Sequence, residues 1–383
     1  MNKDEAIKAI QEDLKQIAEK NKTVSMSVAV VRKDEVIWSY ELGYSNLEKE
    51  NPANSNTIYR VASISKSVAA LVVMKLVEMG KVFLDIDIST YLGYNVRNPY
   101  YPDMPITLRH LMTHTSTLIE DGNYSKICEG KLPPYPLSQI LVEGMPGYNL
   151  NNYINAKPGE KYHYSSFGTG VMGAIVECIT KKRFAEYADE VIFKPLDLDA
   201  GYDPDHLKDA SRIAKPYEVT MVDKQDHHAI AGDPNALKRS LETKKKLVHL
   251  PIGEAYRVPQ GNLHVRSQDL AVILMIFLNR GRSKGVQILS SDMIAEMTKV
   301  QYRDKHICTG LNLHIWDTMI EGKRIIGHPG RSYGALTSFY FSVEDDTAVV
   351  VLTNGTNPYK DEFLCTRTCT EATRLIFNSI ESL

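Results

Sequence analysis

The feature that most constrains this chain is the placement of its β-rich runs, which sit at the two ends of 383 residues and leave a helix-patterned middle. Residues 24–31 and 35–40 are rich in strand-forming side chains and flank Lys33 and Asp34, the pattern of a hairpin. Near the other end, 336–343 and 347–353 flank Glu344, Asp345 and Asp346, and 308–316 with 323–326 form a further pair. Between the two blocks, 63–79, 108–112, 168–180 and 267–279 predict helices. Gly80 stops the first, while Ser267 caps the last and Gly281 follows it. Residues 4–20 place Ile7, Ile10, Leu14 and Ile17 on one stripe, and 362–380 are also helical in pattern. Strands drawn from both termini predict an α+β fold. One antiparallel sheet is flanked by terminal helices and interrupted by a large, mainly helical insertion. On this reading residues 1–383 form a single two-lobed domain, with a sheet lobe at about 1–60 and 300–383 and a helical lobe at about 61–299. Two stretches predict surface loops, 124–136 and 222–249, the second carrying Lys244, Lys245 and Lys246 as a solvated face.

Charge narrows the partners. Forty-five basic against 47 acidic residues leave a net charge of -2, so no global field favours nucleic acid or an anionic membrane. The apolar runs, 68–74 among them, are far too short to span a bilayer. No apolar stretch follows the first five residues. The five cysteines, Cys128, Cys178, Cys308, Cys365 and Cys369, are odd in number and widely spaced. Both observations predict reduced thiols and a cytoplasmic protein.

Three short motifs carry chemistry. In Ser63-Ile64-Ser65-Lys66 the i, i+3 spacing on a helix stacks an amine against a hydroxyl. A serine is a poor nucleophile until a base takes its proton, and a lysine serves as that base once burial disfavours its ammonium form. The helix N-terminus supplies N–H groups where an oxyanion would form. Any chain rich in Ser and Lys produces such a pattern by accident, and Ser63 is equally suited to a plain N-cap. Here it opens an unusually apolar helix, where a buried lysine needs a purpose. The second motif, Tyr164-Ser165-Ser166, sets a phenol ahead of a helix, either as a proton shuttle beside a lysine or as a core tyrosine. The third, His328-Pro329-Gly330, reads alone as a turn. Beside a catalytic site its glycine would let a substrate backbone approach and its N–H groups complete an oxyanion hole.

In this order the three motifs resemble the serine β-lactamase and penicillin-binding superfamily, and the tyrosine triplet and H-x-G variant resemble its class C β-lactamase branch. That branch includes D,D-carboxypeptidases, D-aminopeptidases and esterases. The stretch 106–116, Lys157-Pro158-Gly159, Lys194-Pro195-Leu196 and Gly355 resemble it too, so the similarity runs from about residue 22 to 380. The resemblance implies a serine hydrolase working through an acyl-enzyme on amide or ester bonds of a small molecule or short peptide, with no cofactor and no metal. Ser63 would be acylated, Lys66 would receive or relay its proton, and Tyr164 would act as general base and then as acid to the leaving group. The N–H groups of Ser63 and Arg331 would hold the oxyanion, with His328 where many relatives place lysine. Two positions depart from the pattern: Ser166 stands for the usual asparagine and Thr117 for the usual glycine. Losing an asparagine that pairs with a substrate amide favours small esters or short D-residue peptides over β-lactams. The tyrosines of 91–101, with Tyr124 and Tyr135, predict an aromatic wall for apolar acyl groups.

Rival readings are weaker. Gly330-Arg331-Ser332-Tyr333-Gly334 matches a nucleophile elbow, but a β-rich run follows where that fold needs a helix, and no histidine follows His328. His110 and His114 share a helical face, with Leu111 where a zinc protease needs glutamate. Asp226-His227-His228 is a local cluster in an expected loop. A transferase on the same acyl-enzyme, a true β-lactamase and a catalytically inactive sensor on the same fold remain alternatives.

Overall fold

A computed structural model describes residues 3–221, 227–229, 249–363 and 365–383. Its central feature is a nine-stranded antiparallel sheet among these residues. The N-terminal strands are β1 (Ser25–Arg32), β2 (Glu35–Asn46) and β3 (Asn51–Pro52). The C-terminal strands are β4 (Tyr302–Arg303), β5 (Cys308–Thr309), β6 (His314–Ile320), β7 (Lys323–Ser332), β8 (Ala335–Ser342) and β9 (Thr347–Thr353). The order is β4-β5-β6-β7-β8-β9-β1-β2-β3, so the two ends of the chain meet where β1 pairs with β9, Val28 opposite Val351. The antiparallel sheet built from both termini is the architecture that the end-loaded β pattern predicts.

Both faces of the central strands are covered, which is why β1 and β9 are apolar at nearly every position rather than alternating. Met26, Val28, Val30, Val349 and Val351 point to the helices α1 (Lys3–Lys20) and α7 (Arg367–Asn378), meeting Ile10, Leu14, Ile376 and Phe377. Ala29, Val31, Ala348, Val350 and Leu352 point the other way, into the core of the helical region. There α6 (Ser267–Leu278) lies across β1 and β9. Helix α2 (Ile64–Glu78) is buried on nearly all sides, in keeping with a sequence apolar around its whole circumference. It packs on α5 (Ser166–Thr180) and reaches β7 and β8. Gly80, at φ 63°, ends it in the left-handed conformation that glycine adopts freely.

Several expectations are corrected. The strand expected at 323–326 runs on to Ser332, so His328, Pro329 and Gly330 lie inside β7 rather than in a turn. Part of the loop expected at 124–136 is helix α4 (Gly122–Cys128), which buries Tyr124 and Ile127. Ser267 does not cap α6 but is its first residue, and its hydroxyl pairs with Ser27 Oγ at 2.7 Å. The last helix starts at Arg367, leaving Cys365 ahead of it. The expectations for 222–249, the lysine run included, lie outside the described residues except at 227–229 and 249; His227–Ala229 pairs with Val219–Met221.

Candidate active site

The turn into α2 fixes the first candidate side chain. Ala62 adopts φ 49°, a strained conformation for a residue with a Cβ and one that clusters at functional sites. The turn is pinned from three sides: Val61 N–H donates to Leu263 O, Val61 O accepts from Thr337 Oγ1 at 3.0 Å, and Ser65 Oγ donates to Ala62 O. Ser63 occupies the N-cap position, yet its hydroxyl caps nothing, so the oxygen is left for other work. It is partly exposed at the floor of a cavity of about 480 Å3.

One turn further on, Lys66 is only 1% exposed. Its Nζ donates to Ser63 Oγ at 3.0 Å and to the Gln260 carbonyl at 2.7 Å. Burial pulls its pKa down to about 7, against an upward pull from the Glu120 carboxylate and a further downward one from Arg60. Near neutral pH a large share of this amine is therefore unprotonated, which an exposed lysine never is.

Tyr164 completes the group. Its hydroxyl hydrogen-bonds Ser63, and Lys66 Nζ lies 5.1 Å from its ring centroid. Burial raises its pKa, with the Ser63 bond only partly opposing, so the phenol keeps its proton. Two histidines brace the ring, His114 at 4.5 Å and His328 at 6.1 Å between centroids. His114 Nδ1 accepts from Ser165 N–H at 3.2 Å. His328 Nδ1–H donates to the Pro329 carbonyl at 2.6 Å. Burial holds both imidazoles well below their usual pKa, so neither adds a charge, and each leaves its Nε2 without a partner. His314 stands 5.1 Å behind His328, with burial lowering it to about 4.

The remaining expected residues fall around this centre. Strand β6 pairs with β7 only as far as Gly327, which leaves 328–332 with one bare edge near α2. Gly330 is required for a reason other than substrate approach: a Cβ there would come within 2.3 Å of the Val61 carbonyl and 2.2 Å of Thr337 Oγ1. The glycine lets β7 lie against the turn that carries Ser63. Arg331 is exposed on the cavity rim and its guanidinium donates to Pro358 O at 2.6 Å. Ser166 lines the cavity, and its N–H donates to the Glu120 carboxylate. Thr117, where the family pattern has glycine, sits at φ 72° and accepts from Asn98 Nδ2 at 3.0 Å.

The expected aromatic wall is not there. Of those tyrosines only Tyr124 lines the cavity, and it is buried, its hydroxyl donating to Gln260 Oε1 at 2.6 Å. The lining is charged instead, with Arg60, Lys66, Arg257 and Arg331 facing Glu120 and Glu129. Glu120, Arg257 and Gln260 escaped the motif reading. They come from segments with no motif of their own, and Gln260 offers Lys66 a backbone carbonyl that any residue type could supply. The two histidines weighed as metal ligands are engaged in backbone bonding, His110 Nδ1 accepting from Thr107 N–H and His114 from Ser165 N–H. Among the described residues no group of three His, Cys, Asp or Glu is disposed to hold a metal.

Known proteins resemble this chain in sequence and fold. Protein flp of Staphylococcus aureus (strain N315) is 24% identical over 191 residues, 50% of this chain and 36% of that protein. Esterase EstB of Burkholderia gladioli is 28% identical over 222 residues, 54% of this chain and 55% of that one. The matched stretches thus span a third to a half of those relatives. The crystal structure of D-amino acid amidase from Ochrobactrum anthropi SV3 shares the fold, with a TM-score of 0.73 at 20% identity over 98% of this chain and 99% of that one. The Beta-lactamase family model matches residues 9–372, and this chain belongs to that family.

Proposed function

We propose that the protein is a serine hydrolase that cleaves amide or ester bonds through an acyl-enzyme on Ser63. The observation that carries this reading is the buried Lys66 amine, 3.0 Å from Ser63 Oγ and lowered to about 7. An amine in that state takes the hydroxyl proton as Oγ attacks the carbonyl carbon. The electrostatics favours a division of labour that differs from the one the family resemblance implies. Tyr164 is held protonated, so it serves as the acid that protonates the leaving group, and Lys66 returns a proton to it. Ser63 N–H, which donates to no backbone carbonyl among the described residues, and Arg331 N–H on the bare edge of β7 hold the oxyanion. Water then attacks the acyl-enzyme with Lys66 again as base. The odd number and wide spacing of the five cysteines support a reducing, cytoplasmic setting.

The test compares kcat/KM for a nitrophenyl ester, a D-alanyl peptide and nitrocefin on one preparation. The reading expects turnover of the ester or the peptide and poor turnover of nitrocefin, because Ser166 cannot reach a substrate amide as asparagine would. Nitrocefin as the best substrate by about tenfold would reverse the substrate preference. No turnover of any of the three would count against the hydrolase itself.

A further inference from the structure

The cavity beside Ser63 has an unbalanced charge. Its acidic side chains are occupied: Glu120 accepts the Ser166 N–H and Glu129 pairs with Lys131 at 2.6 Å. Two of its basic side chains are not. Arg257 is only 6% exposed, and its guanidinium hydrogen-bonds, among the described residues, to the Cys128 carbonyl at 3.5 Å, the outer limit of such a bond. Arg60 donates to the Ser332 carbonyl at 3.3 Å and lies over the Tyr333 ring at 5.7 Å. Each leaves its Nε buried and without a partner. Neither pairs with a carboxylate among the described residues, whereas Arg183 pairs with Glu177 and Arg266 with Asp269. The two arginines are also close enough to repel, since the Arg257 charge adds to the burial that lowers Arg60 to about 10. Two like charges in one cavity wall, left unpaired among the described residues, are costly, and an anion between them removes that cost.

The location says which part of a substrate supplies the anion. Arg60, Arg257, Ser166 and Arg331 line the cavity with Ser63, whereas Tyr164 and His328 do not. Tyr164, the proton donor to the leaving group, hydrogen-bonds Ser63 without lining that cavity, which assigns the leaving group to the Tyr164 side and the acyl arm to the arginine-lined cavity. We propose that the acyl arm of the substrate carries a carboxylate, bound by Arg257 and Arg60. The substrates are then half-esters or half-amides of dicarboxylic acids, or acyl groups with an acidic side chain. This inference rests on the hydrolase reading above and deepens it.

The experiment uses four esters and the whole protein, with uncatalysed rates subtracted. Nitrophenyl butyrate is neutral, the mono-nitrophenyl esters of glutarate and adipate carry the carboxylate on the acyl arm, and 3-carboxy-4-nitrophenyl butyrate carries it on the leaving group. A charge-assisted bidentate contact predicts kcat/KM about tenfold or more higher for one of the acyl-arm anions than for nitrophenyl butyrate, and no gain for the leaving-group anion. In Arg257→Gln the ratio of anionic to neutral ester should fall toward one, and Arg257→Lys should restore part of it. Should Arg257→Gln fail to fold, the wild-type ratios decide alone. Turnover of all four esters without an acyl-arm preference, or a preference for the leaving-group anion, overturns the inference and leaves the hydrolase standing. No turnover of any ester, with no acyl adduct on Ser63, overturns both.

Discussion

Replacing Lys66 by methionine separates the catalytic use of the buried amine from its effect on stability. A lysine lowered from 10.5 to about 7 by burial is a lysine the fold holds against its preference for charge. At pH 6 that preference is worth at most about 5 kcal/mol, at about 1.36 kcal/mol for each pH unit of displacement. Methionine removes it at similar volume. The substitution also strips the Gln260 carbonyl and Ser63 Oγ of a donor, and an unsatisfied buried acceptor costs about 1–3 kcal/mol. With the two acceptors together costing about 3 kcal/mol, since Ser63 is partly exposed, the balance is a gain of about 2 kcal/mol below pH 7. At about 2.1 cal/mol/K per residue, a chain of this length converts each kcal/mol into about 1 °C of Tm. The sign follows from proton uptake. Between pH 7 and 10.5 the unfolded chain binds a proton at Lys66 that the folded chain has shed, so wild-type stability rises with pH across this window. The variant lacks that slope. It should melt about 2 °C above wild type at pH 6, match it at about pH 8, and melt below it at pH 10.5, where only the lost hydrogen bonds count. Turnover should fall by about two orders of magnitude or more at every pH. Melting curves from pH 6 to 10.5 read the first effect and ester hydrolysis the second. A stability difference between variant and wild type that stays constant from pH 6 to 10.5 would show that the Lys66 pKa is not lowered in the folded protein, and its role as base would fall.

Two further substitutions probe the same proton path. Tyr164→Phe should lower kcat about 100-fold on an amide but much less on a nitrophenyl ester, whose leaving group departs without a proton; equal losses on both would make Tyr164 the base instead. Its effect should not add to that of Lys66→Met, since both serve one path. Wild-type kcat/KM should rise with pH through about 7 as Lys66 loses its proton, and Glu120→Gln should move that limb to lower pH because the carboxylate pulls the Lys66 pKa up. A limb that stays in place or moves up in the pH profile would remove Glu120 from the electrostatics of the site.

The parts of the molecule that were legible in the sequence are those whose physics is local. The apolar runs of β1 and β9 announce strands buried on both faces, and the uniformly apolar α2 announces a core helix. Ser63 and Lys66 are brought together by one helical turn, so their spacing alone places amine against hydroxyl. Legibility failed where long-range packing decides. His328 to Gly330 looked like a turn because Pro and Gly dominate it, yet pairing with β8 extends the strand through them, Pro329 opposite Ser338. The tyrosines of 91–101 looked like a binding wall, but Tyr91 holds Phe83 N–H through its hydroxyl and Tyr94 is an inward-facing ring. Glu120, Arg257 and Gln260 reach Ser63 only through the fold of the helical region. A lone acid, a lone arginine and a backbone carbonyl carry no pattern from which that meeting could be read.

The central claim is that Ser63 is the residue acylated. A fluorophosphonate or a slowly released acyl donor, followed by intact mass and peptide mapping, tests it most directly. The account predicts a single adduct on the peptide that contains Ser63, lost in Ser63→Ala. An adduct on Ser332 with Ser63 unmodified, or labelling that persists in Ser63→Ala, would contradict it.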